Sequence, residues 1–374
     1  MAPLEAARFR RDLGTAHETV QAGVSSGRAT AASSTWEVWV SFTAELGIDP
    51  FLEAIQDKVQ VLQVFATRVR DGELSKSKNK IKSRSVEDYL RQVAQTYKLL
   101  GKPDPRVTDR EIDFRISRMY RAYAKQDPPP HRVKPVPVQV LHRLATVAQH
   151  ADPLTQGITD MIILAFFFLL RPGEYTDSNS DTTPFTLQDI QLFRGPARLD
   201  LPTASDAQLL SATFASLTFT DQKNGVRGEV IGHSRSGSLT LCPVIALARR
   251  VIHLRHHNAR PSTPLARVFV QGGWSKITPT LITKALRQAV AFLGPELGFL
   301  STDVSARCLR AAGATALLNS KVDSDLIKLL GRWHSDAMLR YLHLQSAKLM
   351  KNFASCMLTG GAYTLIPNQL VPTH

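Results

Sequence analysis

Six side chains between residues 171 and 341 are of types that can bind and attack a phosphodiester. They are Arg171, Lys223, Arg307, Arg310, Trp333 and Tyr341. Two arginines and a lysine can cradle one phosphate, and paired N–H donors can stabilise the extra negative charge of a pentacoordinate transition state. A tyrosine hydroxyl can attack the phosphorus. This chemistry needs no metal ion and no nucleotide, so we expect no cofactor.

Arg171 ends an apolar run and precedes Pro172-Gly173 in the string LLRPGEY. An arginine at the end of a helix can simply bond the last free carbonyl groups. Glu174, three residues later, indicates a second role, because its carboxylate can hold an otherwise buried guanidinium in one orientation. The residues alone leave both interpretations open.

Lys223 precedes Asn224-Gly225, the strongest short hairpin signal, between strand patterns at residues 217–220 and 226–231. The spacing therefore predicts that this lysine lies at the tip of a β-hairpin. A lysine there is either an exposed turn residue or a group that reaches a bound ligand.

Trp333 and Tyr341 follow in the string GRWHSDAMLRY. The indole N–H of Trp333 can donate to a phosphate oxygen, and its ring can equally be part of the core. His334 takes this role if the register differs by one residue. Tyr341 has an ordinary pKa near ~10, so it would act as a nucleophile only where neighbouring cations favour the phenolate.

The pattern of apolar residues in the N-terminal third of the sequence predicts a small helical domain. Residues 1–30 are rich in Ala, Ser, Gly and Arg without a sustained period, so we expect a flexible arm. Residues 31–126 carry apolar side chains at helical spacing and predict an all-helical bundle, with one helix at about residues 51–70 and another at about residues 109–125. The segment from Gln126 to Val138 contains five prolines, so residues 127–137 are expected to form a stiff linker.

Residues 138–358 predict a second domain of helices around a small sheet, followed by a tail over residues 359–374. Residues 176–215 are weakly patterned and support no detailed prediction. The expected fold class is mainly α with a small antiparallel β-sheet. Strands are expected at residues 217–220, 226–231 and 239–241. Helices are expected at residues 138–150, 154–170, 243–256, 278–293, 304–318, 324–330, 336–344 and 346–358.

A net charge of +14 over 374 residues indicates an acidic partner, and nucleic acid is the one that a basic surface of this extent favours. The run LSKSKNKIKSR is either a solvated loop or one that follows a phosphate backbone. Its cations are Lys76, Lys78, Lys80, Lys82 and Arg84.

Other classes of protein are disfavoured by the sequence. Three cysteines far apart predict neither a disulfide framework nor a zinc site, and we expect no metal. The longest apolar run, from Met161 to Leu170, is about half the ~20 residues that cross a bilayer, so we expect a protein without a membrane partner.

The order of these motifs resembles the catalytic domain of the tyrosine recombinases, the phage-integrase family. The residues within the motifs are most similar to those of the recombinases of the eukaryotic DIRS-like and Crypton-like mobile elements. The resemblance implies a helical, SAM-like core-binding domain before an α+β catalytic domain. It implies that Lys223 protonates the departing 5′ oxygen and that Tyr341 forms a 3′-phosphotyrosine with double-stranded DNA.

The resemblance also implies a tetramer on DNA, held by a C-terminal helix at residues 346–358, and a nuclear protein. One position departs from the family, because Arg307 stands where the pattern His-x-x-Arg has its histidine. Arginine cannot accept a proton at neutral pH. This departure keeps open a DNA-binding protein derived from an inactive recombinase. A second alternative is a type IB topoisomerase, which uses a similar set of residues.

Overall fold

The computed structural model describes residues 3–24, 26–75, 78–129, 134–177, 183–220 and 228–333. The chain divides into two compact units, Met1–His131 and Arg132–His374. The division falls inside the proline-rich segment for which the sequence predicts a linker.

Unit 1 is built from helices with one short hairpin. Its helices are α1 (Pro3–Ala22), α2 (Ser26–Glu45), α3 (Lys58–Asp71), α4 (Ser83–Leu99) and α5 (Phe114–Gln126), and its strands are β1 (Val107–Thr108) and β2 (Glu111–Ile112). The N-terminal segment is helical, not irregular as the sequence suggested, although its side chains are almost all exposed. Helix propensity without an apolar face accounts for a helix of this kind.

Two aspartates determine where α3 and α5 begin, and both helices begin later than the apolar pattern predicts. The side chain of Asp57 accepts from the Val59 amide at the start of α3, and Asp113 does the same for Arg115 at the start of α5. A carboxylate at this position satisfies amides that have no partner within the helix. The helices expected from residues 51 and 109 therefore begin at Lys58 and Phe114.

Aromatic side chains dominate the core of unit 1. Trp39 and Phe42 of α2 are fully buried against Phe65 of α3, with the Trp39 and Phe65 rings edge to face at 5.0 Å. Tyr97 of α4 is buried as well, and its hydroxyl donates to the carbonyl of Pro50 at 2.5 Å. Such ring pairs contribute beyond the area they bury.

Unit 2 surrounds a four-stranded antiparallel sheet with helices. The helices are α6 (Val138–Ala148), α7 (Pro153–Phe167), α8 (Pro172–Tyr175), α9 (Asp206–Leu210), α10 (Pro243–His256), α11 (Pro279–Leu297), α12 (Cys308–Asn319) and α13 (Ser324–Gly331). The strands are β3 (Ile190–Arg194), β4 (Ala197–Arg198), β5 (Phe214–Phe219), β6 (Glu229–Ser234), β7 (Arg267–Val270) and β8 (Gly273–Lys276).

The sheet has the strand order β4-β3-β5-β6, and β7 pairs with β8 in a separate hairpin. In the β5–β6 ladder the last pair along β5 is Phe219 opposite Glu229. The prediction of a third strand at residues 239–241 is wrong. The hydroxyl of Ser238 accepts from the Thr240 and Leu241 amides, and these bonds form a turn. The strands β3 and β4 lie in the stretch where the sequence is weakly patterned.

Helix α7 is the centre of unit 2, and its residues Gly157 to Phe166 are all buried. Its only buried charge, Asp160, accepts from the guanidinium of Arg249 on α10. An apolar run covered on every side is what the sequence of residues 161–170 predicts. The expected class, mainly α with a small antiparallel sheet, is confirmed. Within the described ranges, no helix is long and apolar enough to span a membrane.

Candidate active site

Arg171 lies at the corner between α7 and α8. The chain leaves α7 through Leu169 in a left-handed conformation (φ 50°), and the Leu170 amide donates to the Ala165 carbonyl at 3.0 Å. This turn ends the helix and places Arg171 at the N-terminus of α8. The guanidinium remains partly accessible, with 24% of the side chain exposed.

Glu174 holds Arg171 at two points. Its Oε2 accepts from the Arg171 amide at 2.7 Å, and its Oε1 accepts from Arg171 Nη1 at 2.9 Å. The carboxylate is almost fully buried, with 3% of the side chain exposed. A buried carboxylate between two donors of one residue restricts that residue to a single orientation, as the three-residue spacing indicates.

A second arginine, Arg332, contacts the same carboxylate although it lies 158 positions later in the sequence. Its Nη2 donates to Glu174 Oε2 at 3.0 Å. It also donates to the carbonyl groups of Phe168 at 3.3 Å and Leu169 at 3.2 Å. Burial lowers the pKa of Arg332 to about 10, and Glu174 opposes that effect, so the guanidinium is charged at neutral pH.

Arg310 lies on the first turns of α12 and is buried, with 4% exposed. Its Nη2 donates to the carbonyl of Gly331, and its guanidinium carbon lies 4.4 Å from the centre of the Trp333 ring. Trp333 is partly buried and packs with Leu169 and Ile327. Arg171, through Glu174 and Arg332, and Arg310 directly, are thus both bonded to the three residues 331–333.

Two close approaches make this arrangement possible. Gly313 lies where a Cβ atom would be 2.2 Å from the Phe166 carbonyl oxygen, so α12 packs directly on the end of α7. Gly331 lies where a Cβ atom would be 1.7 Å from the ring of Trp333. A larger residue at position 313 would push α12 away from the end of α7, and one at position 331 would displace the Trp333 ring from Arg310.

Tyr175 connects α8 to the start of α12. Its hydroxyl is fully buried and donates to the Ala306 carbonyl at 2.8 Å, and burial raises its pKa well above the usual range. Arg307, the next residue, is exposed and precedes the first turn of α12. Cys308 beside it is buried, and burial raises the pKa of its thiol.

Several predicted residues lie outside the described ranges. They are Lys76, Lys223, His334 and Tyr341, together with the helices expected at residues 336–344 and 346–358. The strands that flank Lys223 in the sequence are described, and the β5–β6 pairing runs to Phe219 and Glu229. The roles of these residues remain predictions.

The other basic residues of the N-terminal run lie on the surface of unit 1. Lys78, Lys80, Lys82 and Arg84 are all exposed. The end of this loop is anchored by Asp127, which accepts from the Ser83 amide at 2.8 Å and from Arg70 at 2.5 Å. These bonds lower the pKa of Asp127 to about 2, with the Ser83 hydroxyl as the largest cause.

The centre formed by these residues contains three guanidinium groups, those of Arg171, Arg310 and Arg332. In the part of the chain that the structure describes, no three His, Cys, Asp or Glu side chains are grouped so that they could hold a metal ion. Arg332 is the residue of this centre that sequence reasoning missed. A lone arginine at a helix end carries no sequence signal of burial, whereas the neighbouring Trp333 does.

Comparisons with known proteins give similarity to solved structures only. No family model and no curated protein matches the sequence. The integrase of transposon Tn1549, solved with transposon right end DNA, is 12% identical with a TM-score of 0.44, covering 88% of this chain and 99% of that one. XerA recombinase is 14% identical (TM-score 0.35, 89% and 100% covered), and the integrase of mycobacterium phage Brujita is 15% identical (TM-score 0.31, 98% and 96% covered).

Proposed function

We propose that this chain is a site-specific DNA recombinase of the tyrosine recombinase family, which cuts and rejoins DNA strands. One observation carries the proposal. Arg171 and Arg310, far apart in sequence, are both tied to residues 331–333, since Glu174 joins Arg171 to Arg332 and Arg310 donates to Gly331. Two guanidinium groups held by one short segment suit a diester phosphate, because each can present paired N–H donors to its oxygens.

In the proposed reaction, the Tyr341 oxygen attacks the phosphorus and the bond from phosphorus to the 5′ oxygen breaks. Lys223 gives its proton to that oxygen, which leaves as a 5′ hydroxyl. Arginine holds its proton too tightly for this step, whereas a lysine can release one. One phosphodiester is exchanged for a 3′-phosphotyrosine, and a 5′ hydroxyl from a partner strand reverses the step without ATP.

Arg307 has a different part in this scheme from the histidine of the family pattern. It cannot remove the proton of Tyr341, because a guanidinium does not act as a base at neutral pH. Its exposed position before α12 suits one more contact to the scissile phosphate. The proton of the nucleophile is then lost to solvent, favoured by the cations around Tyr341.

The wider context is proposed on the sequence resemblance. The substrate is double-stranded DNA at the ends of a mobile element of the DIRS-like or Crypton-like kind, and the reaction takes place in the nucleus. The exposed cations at residues 78–84 of unit 1 add phosphate contacts. Four protomers act on two duplexes, joined through the helix expected at residues 346–358.

The test is covalent trapping on a nicked, end-labelled duplex from the termini of the element, without added metal. A labelled adduct on a denaturing gel is expected for the wild type and for Tyr363→Phe, which alters the only later tyrosine. It should be lost in Tyr341→Phe. An adduct that survives Tyr341→Phe would show that another residue is the nucleophile.

Two other outcomes lead to the alternatives. Specific binding of this DNA without any adduct would identify a DNA-binding protein that has lost catalysis, the alternative that the arginine at position 307 keeps open. Relaxation of a supercoiled plasmid that has no copy of the site would identify a topoisomerase-like activity. Binding without sequence preference and no relaxation would contradict all three.

A further inference from the structure

We propose that Arg332 is a positioning residue, which orients Arg171 through Glu174 and fixes the end of strand β5 beside the site. The proposal rests on the proposed function, because it assigns Arg332 a part in cleavage. Arg332 differs from Arg171 in its access to a ligand, since 1% of its side chain is exposed against 24% for Arg171, and both of its terminal nitrogens donate to acceptors of the protein.

The contacts of Arg332 join segments that are far apart in the sequence. One terminal nitrogen donates to the Phe168 carbonyl, and the other donates to the Leu169 carbonyl and to Glu174. Phe168 and Leu169 form the corner that leads to Arg171. A single planar fork thus holds both the main chain before Arg171 and the carboxylate that orients its side chain.

The backbone of Arg332 directs the side chain inward. The residue ends α13 in a left-handed conformation with φ 55° and ψ 47°, which is uncommon for a residue other than glycine. Its amide donates to the Leu329 carbonyl at 3.0 Å. Since glycine or asparagine would fit this turn more easily, the guanidinium itself is the reason for an arginine here.

Charge supports the same role. Glu174 is buried between two guanidinium groups, with 3% of its side chain exposed, and Arg332 is more deeply buried still, at 1%. Removing Arg332 would leave this buried carboxylate with Arg171 as its remaining cation and would remove a bond to Oε2. A buried carboxylate that loses one partner recruits another donor or water, and Arg171 then loses its single orientation.

Arg332 also packs under strand β5. Its guanidinium carbon lies 3.8 Å from the centre of the Phe219 ring, a cation–π contact shielded from water. Phe219 is the last residue of β5 and precedes Lys223 by four positions in the sequence. One residue therefore contacts the ends of both segments that lead to the candidate phosphate-binding arginine and to the candidate acid.

Two substitutions separate the backbone from the guanidinium. Arg332→Asn keeps a residue that accepts the left-handed turn and removes the charge, and Arg332→Lys keeps the charge without the planar fork. Arg250→Lys is the matched control. Arg250 is equally buried in unit 2, burial lowers its pKa to about 10, and it donates to the main-chain carbonyls of Leu265 and Arg267.

The first readout does not depend on activity. In full-length protein labelled with ¹⁵N-arginine, the Nε–H signal of Arg171, identified by its loss in Arg171→Lys, should be sharp in the wild type and in Arg250→Lys. It should broaden or move to the position of a free arginine in both Arg332 variants. An unchanged Arg171 signal in folded Arg332→Asn would overturn the proposal, whether or not the protein cleaves DNA.

The second readout is single-turnover cleavage with an ordinary scissile phosphate and with a methylphosphonate, which has no charge for Arg171 to neutralise. We expect the Arg332 variants to cleave the phosphate about 10- to 100-fold more slowly at unchanged DNA affinity, the scale of a misplaced catalytic group. The loss should be smaller on the methylphosphonate. Arg250→Lys should change both rates by the same factor.

The outcomes keep the two proposals apart. An equal loss on both substrates, or a loss matched by Arg250→Lys, would reduce Arg332 to a purely structural residue and contradict the inference. A wild type that binds its DNA and forms no adduct would refute the recombinase activity, and the Arg171 signal would still decide whether Arg332 orients it.

Discussion

The hydroxyl of Tyr175 donates to the main-chain carbonyl of Ala306 at 2.8 Å, deep inside unit 2. The bond joins the string LLRPGEY, which carries Arg171, to the segment before α12, which carries Arg307 and Arg310. It thus fixes the distance between two parts of the site through a side chain that has no part in the chemistry.

Replacing Tyr175 with phenylalanine tests this connection. The Ala306 carbonyl would remain buried without that donor, which costs about 1–3 kcal/mol of the free energy of unfolding. We expect slower formation of the DNA adduct at unchanged DNA affinity, measured by single-turnover kinetics and a binding titration. Tyr97→Phe is the control, because it removes a buried tyrosine hydroxyl in unit 1, where the Pro50 carbonyl keeps the Trp39 indole as a second donor. Equal slowing by both variants would contradict a specific role for Tyr175.

Gly313→Ala should destabilise unit 2, although alanine favours a helix over glycine by ~1 kcal/mol. The new methyl group would be 2.2 Å from the Phe166 carbonyl oxygen and 2.4 Å from Leu169 Cδ2. Overpacking of this kind costs about 1–3 kcal/mol, and a main-chain oxygen cannot rotate away. Denaturant unfolding should show a lower midpoint. Gly273→Ala, where nothing lies within 4 Å, should not, and equal effects would refute the close packing.

The basic loop of unit 1 should contribute to the salt dependence of DNA binding. Lys80 and Lys82 are exposed, and each lysine on a phosphate releases a counterion, so removing one contact changes the slope of log K against log salt by ~0.9. The double variant Lys80→Gln/Lys82→Gln should flatten this slope. The control is Lys98→Gln/Lys102→Gln, which removes the same charge from lysines paired with Asp104 and Glu53. Identical slopes for the two double variants would argue against the loop.

The stability of unit 2 should fall as the pH is lowered from about 6.5 towards 4. Burial, followed by the charge of Arg250, lowers the pKa of His253 to about 4, and its Nε2 accepts from the Phe269 amide at 2.9 Å. Between these pH values the unfolded chain binds a proton that the folded chain does not, so acid favours unfolding.

His253→Gln should reduce this dependence, because glutamine does not titrate. Denaturant midpoints at pH 7 and pH 5 measure the effect. A part of the slope should remain, since burial also lowers the pKa of His233. If the wild type and His253→Gln lost stability in parallel, His253 would not be the group responsible.

Much of the helical architecture could be predicted from local patterns. The apolar run at residues 161–170 predicts the buried helix α7, and the periods at 138–150 and 243–256 agree with α6 and α10. Local chemistry also indicates the Arg171–Glu174 pair, because the two residues are three positions apart at a helix start. Where a capping aspartate decides the boundary, as at Asp57, the apolar period places the helix too early.

The rest depended on contacts between distant segments. Nothing local distinguishes Arg332 from a surface arginine at a helix end, and its burial follows from the approach of α13 to the end of α7. Gly313 and Gly331 read as ordinary glycines until the atoms that face them are known. The sequence by itself determined which residue types could bind a phosphate, whereas the tertiary structure decided which arginines share Glu174, because that depends on packing between helices more than 150 positions apart.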